Sequence, residues 1–149
     1  MSNNIAPGQT VAVRVVTPEL SLPSDTTGRT DTAANVRTVR RYYETVDADA
    51  VEELVALFAV DGVYRRPGYQ PLEGRKAIER FYRDQRVIES GRHTLTHVTA
   101  EAAAVAVHGE FDGVLKDGTR VALRFADFFE FDAQGLFARR DTFFFAPAV

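Results

Sequence analysis

The sequence contains no cysteine and no tryptophan, and it has one methionine and three histidines among 149 residues. Without cysteine the chain offers no thiol nucleophile, no thiolate ligand for zinc or an iron–sulfur cluster, and no redox pair. Long apolar runs are also missing, so no segment of about 18 apolar residues predicts a membrane span. The N-terminus lacks the charged-then-apolar pattern of a leader segment, and we therefore expect a cytoplasmic protein.

An excess of positive charge is missing as well. The chain has 18 lysines and arginines against 21 aspartates and glutamates, a formal net charge of -3. Nucleic-acid binding usually requires a clustered basic face, so we expect no nucleic-acid partner. The length predicts one domain that buries roughly 70% of its unfolded surface. Such a domain either holds a small molecule with its acids, bases and hydroxyls or binds another protein.

The chain divides into an arm and a compact domain. Residues 1–34 combine one loosely alternating segment with a stretch rich in Ser, Thr, Asp and Gly, which predicts an arm that is partly extended or disordered. Residues 35–149 form the expected domain. Apolar residues spaced by three and four predict three helices, and a short strand, Val63–Arg66, ends at Pro67.

Beyond Arg92 the apolar period changes from 3.6 to 2. This pattern predicts four strands joined by turns. Helices followed by an antiparallel meander indicate an α+β domain, in which three helices pack on one face of a curved four-stranded meander plus the short strand. The four predicted strands are His93–Ala100, Ala103–Val114, Thr119–Phe131 and Leu136–Phe145.

Asp127 is the most informative single position. Strand alternation places it on the same face as large apolar side chains, which belong to the core. A carboxylate in such a row is costly unless it is paired, hydrogen-bonded or protonated. The neighbours on that face are Val121, Leu123, Phe125, Phe129 and Phe131.

The last strand is apolar on both faces. Its segment Thr142–Ala146 contains three consecutive phenylalanines. Helices can cover one face, and a second copy of the sheet is the simplest cover for the other. We therefore expect a homodimer through the sheet, with Phe128 and one or two of these phenylalanines at the interface.

Four local strings stand out when they are taken together: Arg41-Tyr42, Leu57–Asp61, Pro67 with Gly74 and Ala77-Ile78, and Asp127–Phe131. The set resembles the nuclear transport factor 2-like domains, and within them ketosteroid isomerase and the SnoaL-like polyketide cyclases. The resemblance covers about residues 35–146 and implies a cone-shaped fold. Because this fold hosts enzymes, ligand binders and adaptors, the function has to be argued from the site.

The resemblance implies part of an active site. The isomerase oxyanion hole pairs a helix tyrosine with a protonated aspartic acid, and Tyr42 and Asp127 fall on these positions. The position of the family's general base holds Arg66, which cannot act as a base at neutral pH. The isomerase reaction as the family runs it is therefore not expected.

Other strands must then supply the base. The candidates are His97 (or His93) and Asp141, ranked above His108 and Glu110, which point away from the core. A one-residue slip decides whether Asp141 or its neighbour Arg140 faces the cavity. His93 and His97 do not suggest a metal site, because four residues of strand separate them by roughly 13 Å. We expect no metal and no cofactor.

The leading hypothesis is a cofactor-independent enzyme that closes or rearranges a ring in a hydrophobic, polyketide-like or terpenoid-like molecule by acid/base catalysis. Arg66 would anchor an oxygen-bearing group of the substrate. One alternative is epoxide opening with Asp127, Arg66 and Asp141, and another is a non-catalytic module that binds a small molecule or a protein. The expected substrate-binding residues are Tyr64, Tyr69, Phe125, Phe129 and Phe131.

Overall fold

The computed structural model describes residues 31–145. The predicted arm therefore lies mostly outside the described residues. Helix α1 spans Thr32–Asp47 and begins three residues before the expected domain boundary. Asp31 caps it, because its carboxylate accepts a hydrogen bond from the Ala34 N–H at 3.0 Å.

Two shorter helices follow. Helix α2 spans Val51–Val55 and α3 spans Arg75–Arg80. A π-helical turn, Phe81–Gln85, continues α3 and buries both Phe81 and Tyr82. Such turns are often found at functional sites. Among the described residues, no helix combines the length and the apolar character that a membrane crossing requires.

The sheet has six strands in the order β2-β1-β6-β5-β4-β3. The strands are β1 (Phe58–Arg65), β2 (Leu72–Glu73), β3 (Ile88–Glu101), β4 (Ala104–Leu115), β5 (Arg120–Phe131) and β6 (Phe137–Phe144).

The α+β class is confirmed, but the expected strand arrangement is incomplete. The short strand begins earlier than predicted, at Phe58, and pairs in parallel with β6. The intervening helices and meander supply the long crossover that a parallel pair requires. The two-residue strand β2 then adds to the outer edge of β1. The result is a mixed six-stranded sheet rather than a four-stranded meander with one addition.

A β-bulge in β3 changes which residues face the core. Leu95 pairs with Gly109 and His97 pairs with His108, so β3 contains one extra residue at this point. A bulge shifts the alternation of side chains beyond it. Leu95 and Val98 therefore both pack against the core, whereas His97 is exposed.

Two glycines make room for a cavity-lining ring. Gly91 of β3 pairs with Gly113 of β4, and the ring of Phe111 lies across both. A Cβ atom at Gly91 would lie 2.2 Å from Cζ of Phe111, and one at Gly113 would lie 2.5 Å from it. The missing side chains let the aromatic ring approach the backbone closely.

Candidate active site

A cavity of about 150 Å³, open on one side, lies between the helices and the inner face of the sheet. A cavity of this volume holds a ligand about the size of one aromatic ring. Half of the side chains that line it are apolar: Val46, Val87, Ile88, Phe111, Leu115, Val121, Leu123, Phe125 and Phe144. The polar side chains that line it are Tyr42, Tyr64, Arg66, Tyr82, Arg86, His93, Asp127, Arg140 and Thr142.

A buried ion pair lies at the closed end of the cavity. Asp127 is 0% exposed and Arg140 is 4% exposed, and their side chains are 2.8 Å apart. The hydroxyls of Tyr43 and Thr142 also donate hydrogen bonds to the Asp127 carboxylate. Asp127 is the acceptor in all three contacts, which corresponds to its carboxylate form. The expectation of a protonated Asp127 that donates a hydrogen bond is therefore corrected.

Arg140 joins two tyrosines to this pair. Its Nη1 donates to the hydroxyl oxygens of Tyr42 and Tyr82, the latter at 3.1 Å. The two hydroxyls also hydrogen-bond to each other. This bond uses only one of their two protons, since each hydroxyl carries one. The other proton has no acceptor among residues 31–145, so the tyrosine pair offers one free donor to the cavity.

Burial sets the protonation states of this cluster. Burial raises the pKa of Tyr42 and of Tyr82 above the ordinary tyrosine value. Burial and then the Asp127 carboxylate raise the pKa of Tyr43. Burial disfavours the charge of Arg140, but Asp127 and the tyrosine oxygens more than offset this, so the pKa of Arg140 is raised well above its usual value. At neutral pH the tyrosines are therefore donors and Arg140 is a cation.

A second pair of side chains lies at the side of the cavity. His93 lines it, and its ring packs against the rings of Tyr43 and Phe111. The carboxylate of Asp47, at the end of α1, lies 2.5 Å from Nδ1 of His93 and accepts from its backbone N–H at 2.9 Å. Because a carboxylate only accepts, we assign the imidazole proton to Nδ1. In the neutral imidazole this leaves Nε2 as the nitrogen that can accept a proton.

No larger cluster of ligating groups surrounds this pair. Within residues 31–145, no three His, Asp or Glu side chains converge as metal ligands. Nε2 of His93 likewise makes no hydrogen bond to the described residues. The Asp47–His93 pair is therefore a separate candidate proton acceptor, and the rings of Phe111 and Phe125 flank it in the cavity wall.

Three of the five predicted catalytic side chains line the cavity. Tyr42 and Asp127 both contact Arg140, and Arg66 lies in the wall. The expectation that His97 and Asp141 face the cavity is wrong. The β3 bulge turns His97 outward, where it stacks on His108.

The last strand takes the other of its two possible registers. Arg140 points inward, so Asp141 points to the outer face of the sheet. There it accepts from Nε and Nη2 of Arg65 at 2.7 and 2.6 Å. A fully inward Asp141 would have left Arg140 in solvent and Asp127 without its cation.

The predicted substrate-binding residues divide into two groups. Tyr64 and Phe125 line the cavity. Phe129 and Phe131 instead pack against Phe137 and close the narrow end of the domain, with ring centroids 4.8 and 5.1 Å apart. Tyr69 packs edge-on against a neighbouring ring outside the cavity wall. The cavity thus occupies only the half of β5 up to Asp127.

The sequence pattern does not predict the roles of several residues of the site. The alternation of β6 could have indicated Arg140 together with Thr142, since they share a face. Tyr43 and Tyr82 share helix faces with apolar residues, so the sequence pattern is that of core positions and does not reveal the contacts of their hydroxyls. No local sequence pattern predicts the contact between Asp47 and His93, because 46 residues separate them.

A family model agrees with the motifs read from the sequence. The model described as the SnoaL-like domain matches residues 39–140. The match confirms the resemblance that the sequence strings indicated. A search among curated proteins found no match.

Solved structures share the fold. The epoxide hydrolase/cyclase-like enzyme SalBIII, with a role in pyran ring formation in the polyether salinomycin, superposes with a TM-score of 0.69 at 21% identity, covering 77% of this chain and 93% of its own. An LEH-like epoxide hydrolase from M. tuberculosis gives 0.67 at 18% identity, covering 76% and 84%. A ketosteroid isomerase-like protein from Kribbella flavida gives 0.66 at 27% identity, covering 80% and 84%.

The ion pairs Asp127–Arg140 and Arg65–Asp141 each have one member on β6. We expect them to differ sharply in their contribution to the free energy of unfolding. Asp127→Asn should lower the free energy of unfolding by about 3–5 kcal/mol, because it leaves the buried guanidinium without its anion. Asp141→Asn, the matched control, should change it by about 1 kcal/mol or less, since that pair with Arg65 is half-exposed. Urea denaturation measures both. Equal losses in the two variants would contradict the burial argument.

We also expect alkaline pH to unfold the protein through its buried tyrosines. Tyr42, Tyr43 and Tyr82 have raised pKa values in the folded state. Above a pH of about 10 the folded chain therefore binds more protons than the unfolded chain, and stability falls as the pH rises further. Absorbance at 295 nm, followed together with circular dichroism, should show these three tyrosines ionising only as the fold is lost. Ionisation of all five with the fold intact would contradict this.

Proposed function

The chain belongs to the SnoaL-like domain family, and we propose that it is a cofactor-independent cyclase or isomerase that acts on a hydrophobic, polyketide-like or terpenoid-like molecule. One observation carries the proposal. A single apolar cavity presents a proton acceptor, Nε2 of His93, together with a free hydroxyl donor held on Arg140. These are the two groups that acid/base rearrangement of a carbonyl compound requires.

His93 is the proposed proton carrier. Its Nε2 takes a proton from a carbon next to the substrate carbonyl, and the electron pair of the broken C–H bond moves onto the carbonyl oxygen. Asp47 stabilises the imidazolium that forms, because its carboxylate accepts the hydrogen bond from Nδ1. A positioned base of this kind contributes typically about 10²–10⁴-fold to a rate.

The tyrosine pair on Arg140 is the proposed site for the oxygen. The free hydroxyl of Tyr42 or Tyr82 donates to the developing enolate, and the adjacent guanidinium stabilises its charge. His93 then returns the proton at another carbon, or the enolate carbon closes a ring on a second carbonyl of the substrate, whose oxygen takes the proton. Asp127 does not touch the substrate in this scheme, and it holds Arg140 in place.

The epoxide-opening arrangement expected from the sequence is not assembled. It requires Asp127, Arg66 and Asp141 around one substrate, but Asp141 lies on the outer face of the sheet with Arg65. Asp127 contacts Arg140 rather than Arg66. We therefore favour proton transfer over epoxide opening for this chain.

A model proton abstraction tests the proposal without the natural substrate. In the Kemp elimination of 5-nitrobenzisoxazole, a base removes the C3 proton while the N–O bond breaks and a phenolate oxygen leaves. We expect the protein to accelerate this reaction, and His93→Gln to reduce the acceleration about 10²-fold or more. Phenolate absorbance near 380 nm measures the rate.

The controls separate the base from general cavity effects. His97→Gln removes an exposed histidine and should leave the rate unchanged. Asp47→Asn should lower kcat more than it changes KM, and Asp47→Glu should recover part of the loss, because a carboxylate is again available to orient the imidazole. A wild-type rate equal to the buffer rate would exclude this acid/base role and favour a non-catalytic binding module.

We further propose that two copies associate through the outer face of the sheet. Phe128 and Phe143 are 52% and 56% exposed there, and their rings pack edge to face. The ion pair between Arg139 and Glu130 lies on the same face and supplies charges of both signs. A face with an apolar centre and both charges beside it can complement a second copy of itself.

Light scattering during size exclusion tests the association. The wild type should elute at twice the mass of one chain, and Phe128→Asp should elute as a monomer, because a carboxylate then lies in the apolar centre of the interface. Val60→Asp changes an apolar residue on β1 that is even more exposed than Phe128, and this variant should remain dimeric. A monomeric wild type would contradict the proposal.

A further inference from the structure

Two arginines at the open end of the cavity lack anionic partners. Arg66 and Arg86 both line the cavity, and Arg86 is only 8% exposed. Within residues 31–145 neither forms an ion pair, whereas Arg140 is paired with Asp127. The described cavity wall therefore carries three guanidinium groups and one carboxylate, although the whole chain has a net charge of -3.

The positions of these arginines define the mouth. Arg66 directly follows β1, whose last residue pairs with Asp141 near the end of β6. Arg86 precedes β3, whose first residue pairs with Leu115 at the end of β4. Because β1 runs parallel to β6, and β6, β5, β4 and β3 pair antiparallel in turn, these strand ends lie at the same end of the sheet.

Aromatic rings hold both guanidinium groups at this end of the sheet. The guanidinium of Arg66 lies 4.8 Å from the ring centroid of Phe81 and 5.2 Å from that of Tyr69. The guanidinium of Arg86 lies 5.9 Å from the ring of Tyr82. Phe81 and Tyr82 are consecutive residues of the π-helical turn, with ring centroids 5.1 Å apart. One turn therefore positions both cations, and it orients them without neutralising them.

Their hydrogen-bonding capacity is largely unused. Arg66 makes one long contact, from Nη1 to the hydroxyl of Tyr64 at 3.5 Å, and its Nε is buried without a partner. The side chain of Arg86 makes no hydrogen bond to the described residues. A buried cation without an anion is costly, and aromatic contacts compensate only part of that cost. An oxyanion from a ligand would satisfy both groups.

We propose that the molecule bound here is an apolar compound that carries a carboxylate, and that Arg66 and Arg86 bind this carboxylate at the mouth. The inference rests on the proposed function, since it names the class of substrate for the same cavity. Guanidinium groups suit this role because their paired N–H donors match the two oxygens of a carboxylate. The apolar part of the ligand then lies along Leu123 and Phe125, next to His93.

A pair of matched probes tests the proposal. The anion 3-phenylpropanoate and the neutral amide 3-phenylpropanamide share one carbon skeleton, and their single ring suits the size of the cavity. We expect the full-length protein to bind the anion at least about tenfold more tightly than the amide, because charge-assisted hydrogen bonds are stronger than neutral ones. Protein-observed NMR titration measures both affinities and locates the binding site.

Arginine variants assign the preference to the mouth. Arg66→Gln and Arg86→Gln should each remove most of the preference for the anion while changing the affinity for the amide little. Arg120→Gln changes an exposed arginine on β5 and should preserve the preference. Folding of each variant is checked by the dispersion of the amide signals.

The outcomes separate this inference from the proposed catalysis. Equal binding of both probes, or a preference that survives in both mouth variants, would overturn the carboxylate inference and leave the Kemp elimination result standing. Failure of the anion to bind would overturn it too. A clear preference for the anion, in a protein that does not accelerate the Kemp elimination, would support the inference for a non-catalytic binder.

Discussion

The ion pair between Asp127 and Arg140 is the interaction on which the rest of the site depends. A fully buried carboxylate is stable only when strong donors surround it. Here the three donors come from two elements, with Tyr43 on α1 and both Arg140 and Thr142 on β6, whereas Asp127 lies on β5. Satisfying one charge therefore fixes the first helix against two adjacent strands, and it fixes the closed end of the cavity.

This pair also determines how the chemical roles can be divided. All three donors hydrogen-bond to the carboxylate of Asp127, and this makes Asp127 a poor proton carrier for a ligand. Its negative charge in turn keeps Arg140 cationic at the cavity floor and available to the tyrosine hydroxyls. A proton acceptor must then come from elsewhere in the wall, and His93 with its Asp47 partner is the group that the fold brings there.

The sequence predicts the class of fold and the inward position of Asp127 well, because strict alternation along β5 is a strong physical signal. It does not decide between Arg140 and Asp141, since adjacent strand residues face opposite sides and a shift of one residue exchanges them. It also misplaces His97, because regular alternation continued from His93 puts it inward, and the bulge shows only as a spacing of three between Leu95 and Val98. The pairing of Asp47 with His93 depends on how α1 packs on β3, which local patterns do not encode.

The order of polar groups along the cavity constrains how a ligand can lie in it. Tyr64 of β1 pairs with Arg140 of β6. Arg66 comes two residues after Tyr64, which places it roughly 7 Å further towards the mouth along the direction of β1. His93 lies on β3, where it pairs with Phe111 of the neighbouring strand β4. A ligand whose anion binds at the mouth therefore presents its middle carbons to the imidazole and its far oxygen to the tyrosine pair. Reversing the ligand would place its carboxylate beside the carboxylate of Asp127. The charges along the cavity therefore favour the orientation with the anion at the mouth.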